Sequence, residues 1–256
     1  MRLRNLLSAL GVAIVLFTLP HAISGQTTIA PPEIPGETYF AAAPMSITLD
    51  GNTSDWAGVP YASMNRGPLT TGQPISARFA AAADSSTLYV SVLVSDSSII
   101  TGRHGDDYWN EDSVEVYLNT NQNHQMTRYT PAVVQITVPA VNIGTPIAHT
   151  IIAGQNVELI GARAVVTRTS SGYAVELSVP LRNVYWNINT NEGSSIGFQV
   201  QVNSASSRDR DYKLSWSAQD QTSDVSYYNP SVFGELTFAE PVRQPSRRPL
   251  CARPPL

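Results

Sequence analysis

The sequence predicts an all-β fold: a two-sheet antiparallel β-sandwich of the jelly-roll or immunoglobulin-like kind, with few or no helices. About ten short segments alternate apolar and polar residues, and turn-forming residues separate one segment from the next. No segment repeats its apolar residues with the period of about 3.6 that an amphipathic helix requires. The length of 256 residues suits one such domain between flanking segments.

Three flanking segments surround a domain predicted at residues 39–240. Residues 1–25 have the basic start, apolar run and small-residue end of a secretory signal peptide, which predicts a secreted or cell-surface protein. Residues 26–38 are interpreted as a Pro/Thr-rich linker. Residues 241–256 are a Pro/Arg-rich tail, for which a linker, a disordered end and a basic surface-association segment are the alternatives. No later apolar run is long enough to cross a bilayer, so the mature chain is expected to have no membrane span.

The predicted strands begin beside clear turn signals. Residues 46–49 lead into a turn at Asp50-Gly51-Asn52, and residues 75–83 and 87–95 form a hairpin across Asp84-Ser85-Ser86. A strand at residues 113–118 follows. Further strands are predicted at residues 133–138, 147–153, 157–168, 173–179, 195–203, 212–217 and 232–238, and one helical turn at residues 181–186.

The strand at residues 113–118 has one apolar face and one polar face. Val114, Val116 and Leu118 lie on the first, whereas Glu115 lies on the second. An acidic loop before this strand contains Trp109, which shares a face with Glu115 if the extended backbone continues. The other tryptophans, Trp56, Trp186 and Trp216, are assigned to the core.

Polar side chains recur on the outer faces of several predicted strands. If these strands are neighbours, their amides and carboxylates form one surface whose paired donors and acceptors suit sugar hydroxyls. An ordinary solvated sheet face is the alternative. The side chains concerned are Glu115, Gln135, Thr137, Glu176, Gln199, Gln201 and Asn203.

Charge and cysteine content exclude several classes of function. Residues 39–240 contain 10 basic and 18 acidic side chains, a net charge of −8, which disfavours nucleic acid as a partner. Lys213 is the only lysine of the chain. Cys251, in the tail, is the only cysteine, so the domain has no internal disulfide and no thiolate metal site.

A set of short motifs occurs in a characteristic order between residues 44 and 240. They are LDG at 49–51 with Trp56, TLYV at 87–90, VSD at 94–96, WNEDSVEVYL at 109–118, GYAVE at 172–176, IGFQVQVN at 196–203, SWS at 215–217 and NPSVFG at 229–234. In this order they resemble the family 9 carbohydrate-binding modules attached to xylanases and other exported glycosidases. The resemblance implies non-catalytic binding of the end of a β-glucan or xylan chain by a monomeric module.

The resemblance also implies which residues contact the sugar. The two stacking tryptophans of the family fall on Trp109 and on Tyr227, where the ring is smaller. Hydrogen-bonding positions fall on Glu115 and Arg210, and a family asparagine falls near Asp224. A second family arginine falls near Thr137 and is lost, so part of the hydrogen-bonding set differs from that of the family.

Family members bind calcium, so a structural calcium ion is a further implication. Calcium prefers clustered oxygen ligands, and four aspartates lie close together in this sequence. A solvated acidic loop is the alternative. The aspartates are Asp96, Asp106, Asp107 and Asp112.

Other functions compete with sugar binding. The main one is an interaction or structural module that keeps the sandwich without binding sugar. A glycoside hydrolase would pair Glu115 with Glu176 or Asp112, although no deep-pocket signature accompanies them. A haem-binding relative would need two axial ligands, but Met126 and His124 are too close in sequence to serve. The histidines outside the signal segment, His104, His124 and His149, are expected at the surface.

Overall fold

The computed structural model of the protein describes residues 29–141, 143, 152–158 and 160–242. The predicted signal peptide and most of the predicted tail lie outside these residues. The all-β prediction is confirmed, since the helical segments described are 3-10 turns of three or four residues. The strands are β1 (Thr38–Ala42), β2 (Ala62–Met64), β3 (Leu69–Thr70), β4 (Ser76–Ala83), β5 (Thr87–Ser95), β6 (Ser113–Asn119), β7 (Val133–Pro139), β8 (Ala153–Gln155), β9 (Arg163–Arg168), β10 (Gly172–Pro180), β11 (Ser195–Ser204), β12 (Tyr212–Ser215) and β13 (Gly234–Ala239).

The strands form two layers joined through β1. Their hydrogen-bonded order is β8-β7-β6-β11-β13-β1-β4-β5-β10-β9, with β12 and then β3 added beside β11, and β2 added beside β4. Neighbouring strands are antiparallel, except that β1 runs parallel to both β13 and β4. We call β3, β6, β7, β8, β11, β12 and β13 the cleft half, and β2, β4, β5, β9 and β10 the opposite half.

The core lies between the two halves. Val116 and Phe198 from the cleft half and Phe79 and Val90 from the opposite half belong to one cluster and are fully buried. Burial of each such side chain contributes about 1.5–3 kcal/mol. Trp216 joins this cluster with its ring 5.4 Å from that of Phe79, centroid to centroid. Trp56 and Trp186 are buried too, as predicted.

Three local predictions are wrong in whole or in part. The strand predicted at residues 157–168 begins only at Arg163. Residues 46–49 form no strand, because Asp55 accepts a hydrogen bond from the Thr48 N–H (3.0 Å) that a neighbouring strand would otherwise pair. Residues 181–186 form no helical turn. The chain folds back there instead, with a bridge between Arg182 and Asn187 and a hydrogen bond from Ile188 N to Leu181 O (2.8 Å).

The described part of the predicted linker packs against the domain. Glu33 accepts a hydrogen bond from the indole N–H of Trp216 at 2.9 Å, and Ala30 is buried. Ile29 accepts a hydrogen bond from Val242 N at 2.9 Å, so the two ends of the described chain lie side by side. Pro/Thr-rich composition alone does not show such docking, because the partners lie about 200 residues away in sequence.

No helix in the described ranges has the length and apolarity needed to cross a membrane.

Candidate functional site

A cleft of about 630 Å³ opens on the cleft half, beside β6, β7 and β8. Its walls come from distant parts of the chain: the loop before β6, the whole of β8, the segment that leads into β12, and the loop between β12 and β13. The structure brings the five predicted sugar-contacting residues together here. They are Trp109, Glu115, Arg210, Asp224 and Tyr227.

Two aromatic side chains line the cleft while remaining about half exposed. Trp109, in the 3-10 turn Tyr108–Asn110, is 45% exposed, and Tyr227 is 49% exposed. The guanidinium carbon of Arg210 lies 5.1 Å from the centre of the Trp109 ring, a cation–π contact that restrains the indole. Tyr228 packs edge-on against Tyr227 at 4.8 Å. Exposed aromatic surface of this kind marks binding sites.

Glu115 lies at the floor of the cleft and is only 1% exposed. Its Oε1 accepts hydrogen bonds from Gln135 Nε2 (2.6 Å) and Thr137 Oγ1 (3.4 Å). Its Oε2 lies 3.3 Å from Lys213 Nζ but has no well-aligned hydrogen-bond donor among the described residues. Burial acts to raise the pKa of Glu115, yet Lys213 and the amides of Asn203 and Gln135 outweigh it and lower the pKa below 4.5. Glu115 is therefore ionised at neutral pH.

A four-charge network extends from this floor to the rim of the cleft. Lys213 Nζ also contacts Asp224 Oδ1 at 2.6 Å, and Asp224 Oδ2 contacts a terminal nitrogen of Arg210 at 3.2 Å. The order of charges is negative, positive, negative, positive. The side chains of Glu115 and Lys213 are almost fully buried, whereas that of Asp224 is 26% exposed. A ligand in the cleft thus meets Asp224 and Arg210 before it meets Glu115.

Two glutamines of the predicted polar face lie beneath a loop. Gln199 and Gln201 are fully buried, because the loop between β12 and β13 covers them. Gln201 donates to Asp220 Oδ2 at 2.8 Å, and Gln199 donates to Ser215 Oγ at 2.9 Å. These amides position the loop that contains Asp224 and Tyr227, so they serve the cleft without lining it.

Glu176 does not belong to this face, contrary to the prediction. It lies on β10 in the opposite half, where it accepts hydrogen bonds from Trp56 Nε1 (2.8 Å) and Gly51 N (2.7 Å). Strand parity gives the face of a side chain within its own sheet, but it does not show which strands are neighbours.

A contact between two loops fixes Trp109 relative to Arg210. Asp209 Oδ1 accepts hydrogen bonds from His104 Nε2 (2.8 Å) and Asn110 Nδ2 (3.3 Å), and Arg210 N donates to Asn110 Oδ1 (3.1 Å). His104 was expected at the surface, but its side chain is only 10% exposed between Asp209 and Glu111.

The four aspartates predicted to bind calcium separate into two groups. Asp96 and Asp112 are buried close together, and Asp112 Oδ1 has no hydrogen-bond partner among the described residues. Burial and the neighbouring Asp96 raise the pKa of Asp112 to about 8. Asp106 and Asp107 are exposed, and Asp106 lines the cleft. Within the described ranges, no three His, Cys, Asp or Glu side chains converge to form a metal site.

Residues considered for haem ligation have other partners. His124 Nδ1 lies 3.3 Å from Glu235 Oε1, whereas Met126 packs against Tyr117, Val133 and Phe233. His149 lies outside the described residues.

Comparison with known proteins identifies the family of this domain. The family model described as carbohydrate family 9 binding domain-like matches residues 49–240, about three quarters of the chain. The chain belongs to this family. The resemblance inferred from the ordered motifs is confirmed.

Relatives of this family 9 domain include an enzyme. Endo-1,4-beta-xylanase A of Thermotoga maritima is 30% identical over 154 residues, which cover 60% of this chain but only 13% of the xylanase. The similarity therefore concerns a small part of that enzyme.

Solved structures show the same fold. A family 9 carbohydrate-binding module from Caldicellulosiruptor kristjanssonii, in complex with cellotriose, has a TM-score of 0.66 and 21% identity, covering 86% of this chain and all of the module. The module in complex with glucose has a TM-score of 0.65 and 22% identity, covering 80% of this chain and 96% of that one. A putative carbohydrate-binding protein from Bacteroides uniformis has a TM-score of 0.50 and 12% identity, with 79% and 99% covered.

Sequence reasoning on this family 9 domain missed several residues of the cleft, among them Lys213 and Gln155. The sequence showed Lys213 only as the single lysine of the chain. Because Leu214 faces the core, its neighbour Lys213 faces the other side of β12, the side on which its strand partner Asn203 also lies. Gln155 donates to Gln135 Oε1 (2.9 Å) and to Tyr227 O (2.7 Å), which links β8 to the loop opposite. No sequence signal indicates Gln155, because its partners are distant in the chain.

Proposed function

We propose that this domain binds carbohydrate without cleaving it. The observation that supports this function best is one cleft lined by two half-exposed aromatic side chains, Trp109 and Tyr227, above a polar floor. The C–H faces of a pyranose stack on such rings, while its hydroxyls hydrogen-bond to the amide and charged groups below them. Asp224 and Arg210 are the accessible charged partners, and Glu115 orients Lys213 from beneath.

The proposed ligand is the end of a β-glucan or xylan chain. Membership of family 9, the structural likeness to modules in complex with cellotriose and glucose, and the relation to a xylanase support this choice. Two aromatic side chains in one cleft suit a terminal sugar held on both faces better than an extended chain on a flat surface. Export through residues 1–25 fits such a ligand, and N-terminal sequencing of the mature protein tests it.

The charge states in the cleft support a non-catalytic role. Glycoside hydrolysis with two carboxyl groups needs one of them protonated near neutral pH. The pKa of Glu115 is lowered, so this carboxyl group does not suit that acid role. We expect no release of reducing ends when the purified protein is incubated with xylan or cellulose. Sustained release that Glu115→Gln abolishes would contradict a purely binding function.

Calcium binding is a further part of the proposal. Asp96 and Asp112 are the residues that would ligate it, and the unpartnered Asp112 Oδ1 supports this assignment. Asp106 and Asp107 do not belong to this set, because they lie in the exposed loop. Calcium should raise the thermal unfolding midpoint of the wild-type protein and have no such effect on Asp112→Asn.

Calorimetric titration with cellobiose and xylobiose tests sugar binding. Trp109→Ala should weaken the affinity by about tenfold or more, because it removes one stacking face. Val184→Ala is the control, since Val184 is an exposed apolar residue that does not line the cleft. Unchanged affinity in a folded Trp109→Ala protein would show that the aromatic pair is not the platform. The reduced alditols show whether the reducing end is required.

A further inference from the structure

Both cations that line the cleft are already paired with carboxylates. Arg210 contacts Asp224 at 3.2 Å, and Lys213 contacts Asp224 at 2.6 Å and Glu115 at 3.3 Å. Asp106, an exposed carboxylate, lines the same cleft. Counted by formal charge, the described residues that line the cleft include three anions and two cations. Its guanidinium and ammonium groups are therefore not free to receive an anionic ligand.

Asp224 is the member of the network that contacts both cations. Its side chain is 26% exposed, more than that of Arg210 or Lys213, so it meets a ligand first. The carboxylate of an acidic sugar would have to displace Asp224 from Arg210 while remaining close to it. Like charges at such distances repel, and a partly buried site screens the repulsion less than bulk water does.

We propose that Asp224 makes the cleft selective against acidic sugars, by occupying the two cations that would otherwise bind a uronate carboxylate. This inference rests on the proposed sugar-binding function and concerns which sugars that site accepts. The affinity for uncharged sugars is not reduced by Asp224, because its carboxylate oxygens can accept further hydrogen bonds from the sugar hydroxyls. With Asp224 neutral, Arg210 and Lys213 would have only Glu115 as a counter-charge.

The backbone at this position permits a clean test. Asp224 has a φ of +50°, in the left-handed region that asparagine tolerates as well as aspartate does. Asp224→Asn thus removes the charge while keeping the conformation and the oxygen acceptor. Glu192→Gln is the matched control, because it changes the net charge equally at an exposed position outside the cleft.

The experiment is calorimetric titration of each protein with glucose and with glucuronic acid at pH 7 and low salt. These sugars share a ring and differ only at C6. The wild-type protein and Glu192→Gln should bind glucose about tenfold more tightly than glucuronate, and raising the salt should narrow this ratio. In Asp224→Asn the ratio should shrink severalfold. Asp224→Gly removes the same charge at a positive φ that glycine adopts readily, and it provides a second variant if Asp224→Asn is unfolded.

The outcomes separate this proposal from the one it rests on. Equal affinity of the wild-type protein for both sugars, or an unchanged ratio in a folded Asp224 variant, would overturn the role of Asp224 alone. Failure of the folded wild-type protein to bind either glucose or longer β-glucan and xylan fragments would overturn the proposed function, and this inference with it.

Discussion

Lys213 shows how one residue can determine the electrostatics of a site. It is buried on β12 between Glu115 and Asp224, and its charge keeps the pKa of Glu115 low despite complete burial. A buried ion pair is often worth little against an apolar replacement, but removal of one partner leaves an uncompensated charge. The charge state of the cleft floor therefore depends on a side chain that is itself almost fully buried.

Lys213→Met should lower the free energy of unfolding at pH 7 by about 3 kcal/mol, because Glu115 then lies buried without its nearest cation. The pKa of Glu115 should rise in this variant. In the wild-type protein the lowered pKa stabilises the fold above pH 4.5, and this stabilisation is lost as the pH falls through the lower folded pKa. The deficit of Lys213→Met should accordingly shrink at acid pH in denaturant titrations.

The double variant Lys213→Met with Glu115→Gln is the control for that prediction. It removes both charges, so it should recover much of the stability that Lys213→Met loses. A double variant as unstable as Lys213→Met would mean that lost packing, and not the unpaired charge, causes the defect.

At the scale of elements, the loop between β12 and β13 depends on one buried carboxylate. Asp220 accepts hydrogen bonds from Gln201 Nε2 (2.8 Å), Val225 N (2.7 Å) and Ser223 Oγ (2.8 Å), and two more from Ser226. These bonds fasten the segment that ends at Tyr227 onto β11. The position of one stacking ring is thus set by a group that does not line the cleft.

Asp220→Asn should destabilise this loop, because an amide nitrogen, which cannot accept hydrogen bonds, would replace one of the two carboxylate oxygens that now accept them. The cost should be about 1–3 kcal/mol in the free energy of unfolding. Sugar affinity should fall further than stability alone explains, since Tyr227 loses its fixed position, and hydrogen exchange should increase at the Val225 and Ser226 amides. Full affinity with unchanged exchange would contradict the positioning role of Asp220.

The strands were predictable from sequence to a degree that the loops were not. The alternation of apolar and polar residues in strands such as β6 and β11 depends only on neighbouring residues. It therefore correctly predicted that Val116 and Phe198 lie on buried faces. The partners of Gln201 and Gln155 belong to distant segments, and no local pattern specifies them. Glu176 was placed on the wrong sheet for the same reason: strand order is a property of the whole fold.

At the scale of the whole molecule, the buried pair Asp96 and Asp112 links stability to pH. The pKa of Asp112 is raised from 3.8 to about 8, chiefly by burial and then by Asp96. The folded protein therefore binds this proton more tightly than the unfolded chain does. Its stabilising effect is complete below pH 3.8 and is lost as the pH rises through about 8.

In calcium-free buffer, the free energy of unfolding of the wild-type protein should decline between pH 4 and pH 8 relative to that of Asp112→Asn. Asparagine can still accept the hydrogen bond that Ile100 N donates to Asp112 at 2.9 Å, so the variant should fold. Denaturant titrations at several pH values measure the difference. Parallel pH profiles for the two proteins would show that Asp112 does not titrate as described.

The hydrogen bond between Val242 N and Ile29 O makes this domain suitable as a cassette. A domain whose first and last residues lie side by side can be inserted into a surface loop of a host protein. These two residues form the junctions, and the two ends of the opened loop need not move apart. The residues that line the cleft lie between Asp106 and Tyr227, well inside both junctions. An enzyme given this insert would gain a sugar-binding arm while its own two termini remained available for other fusions.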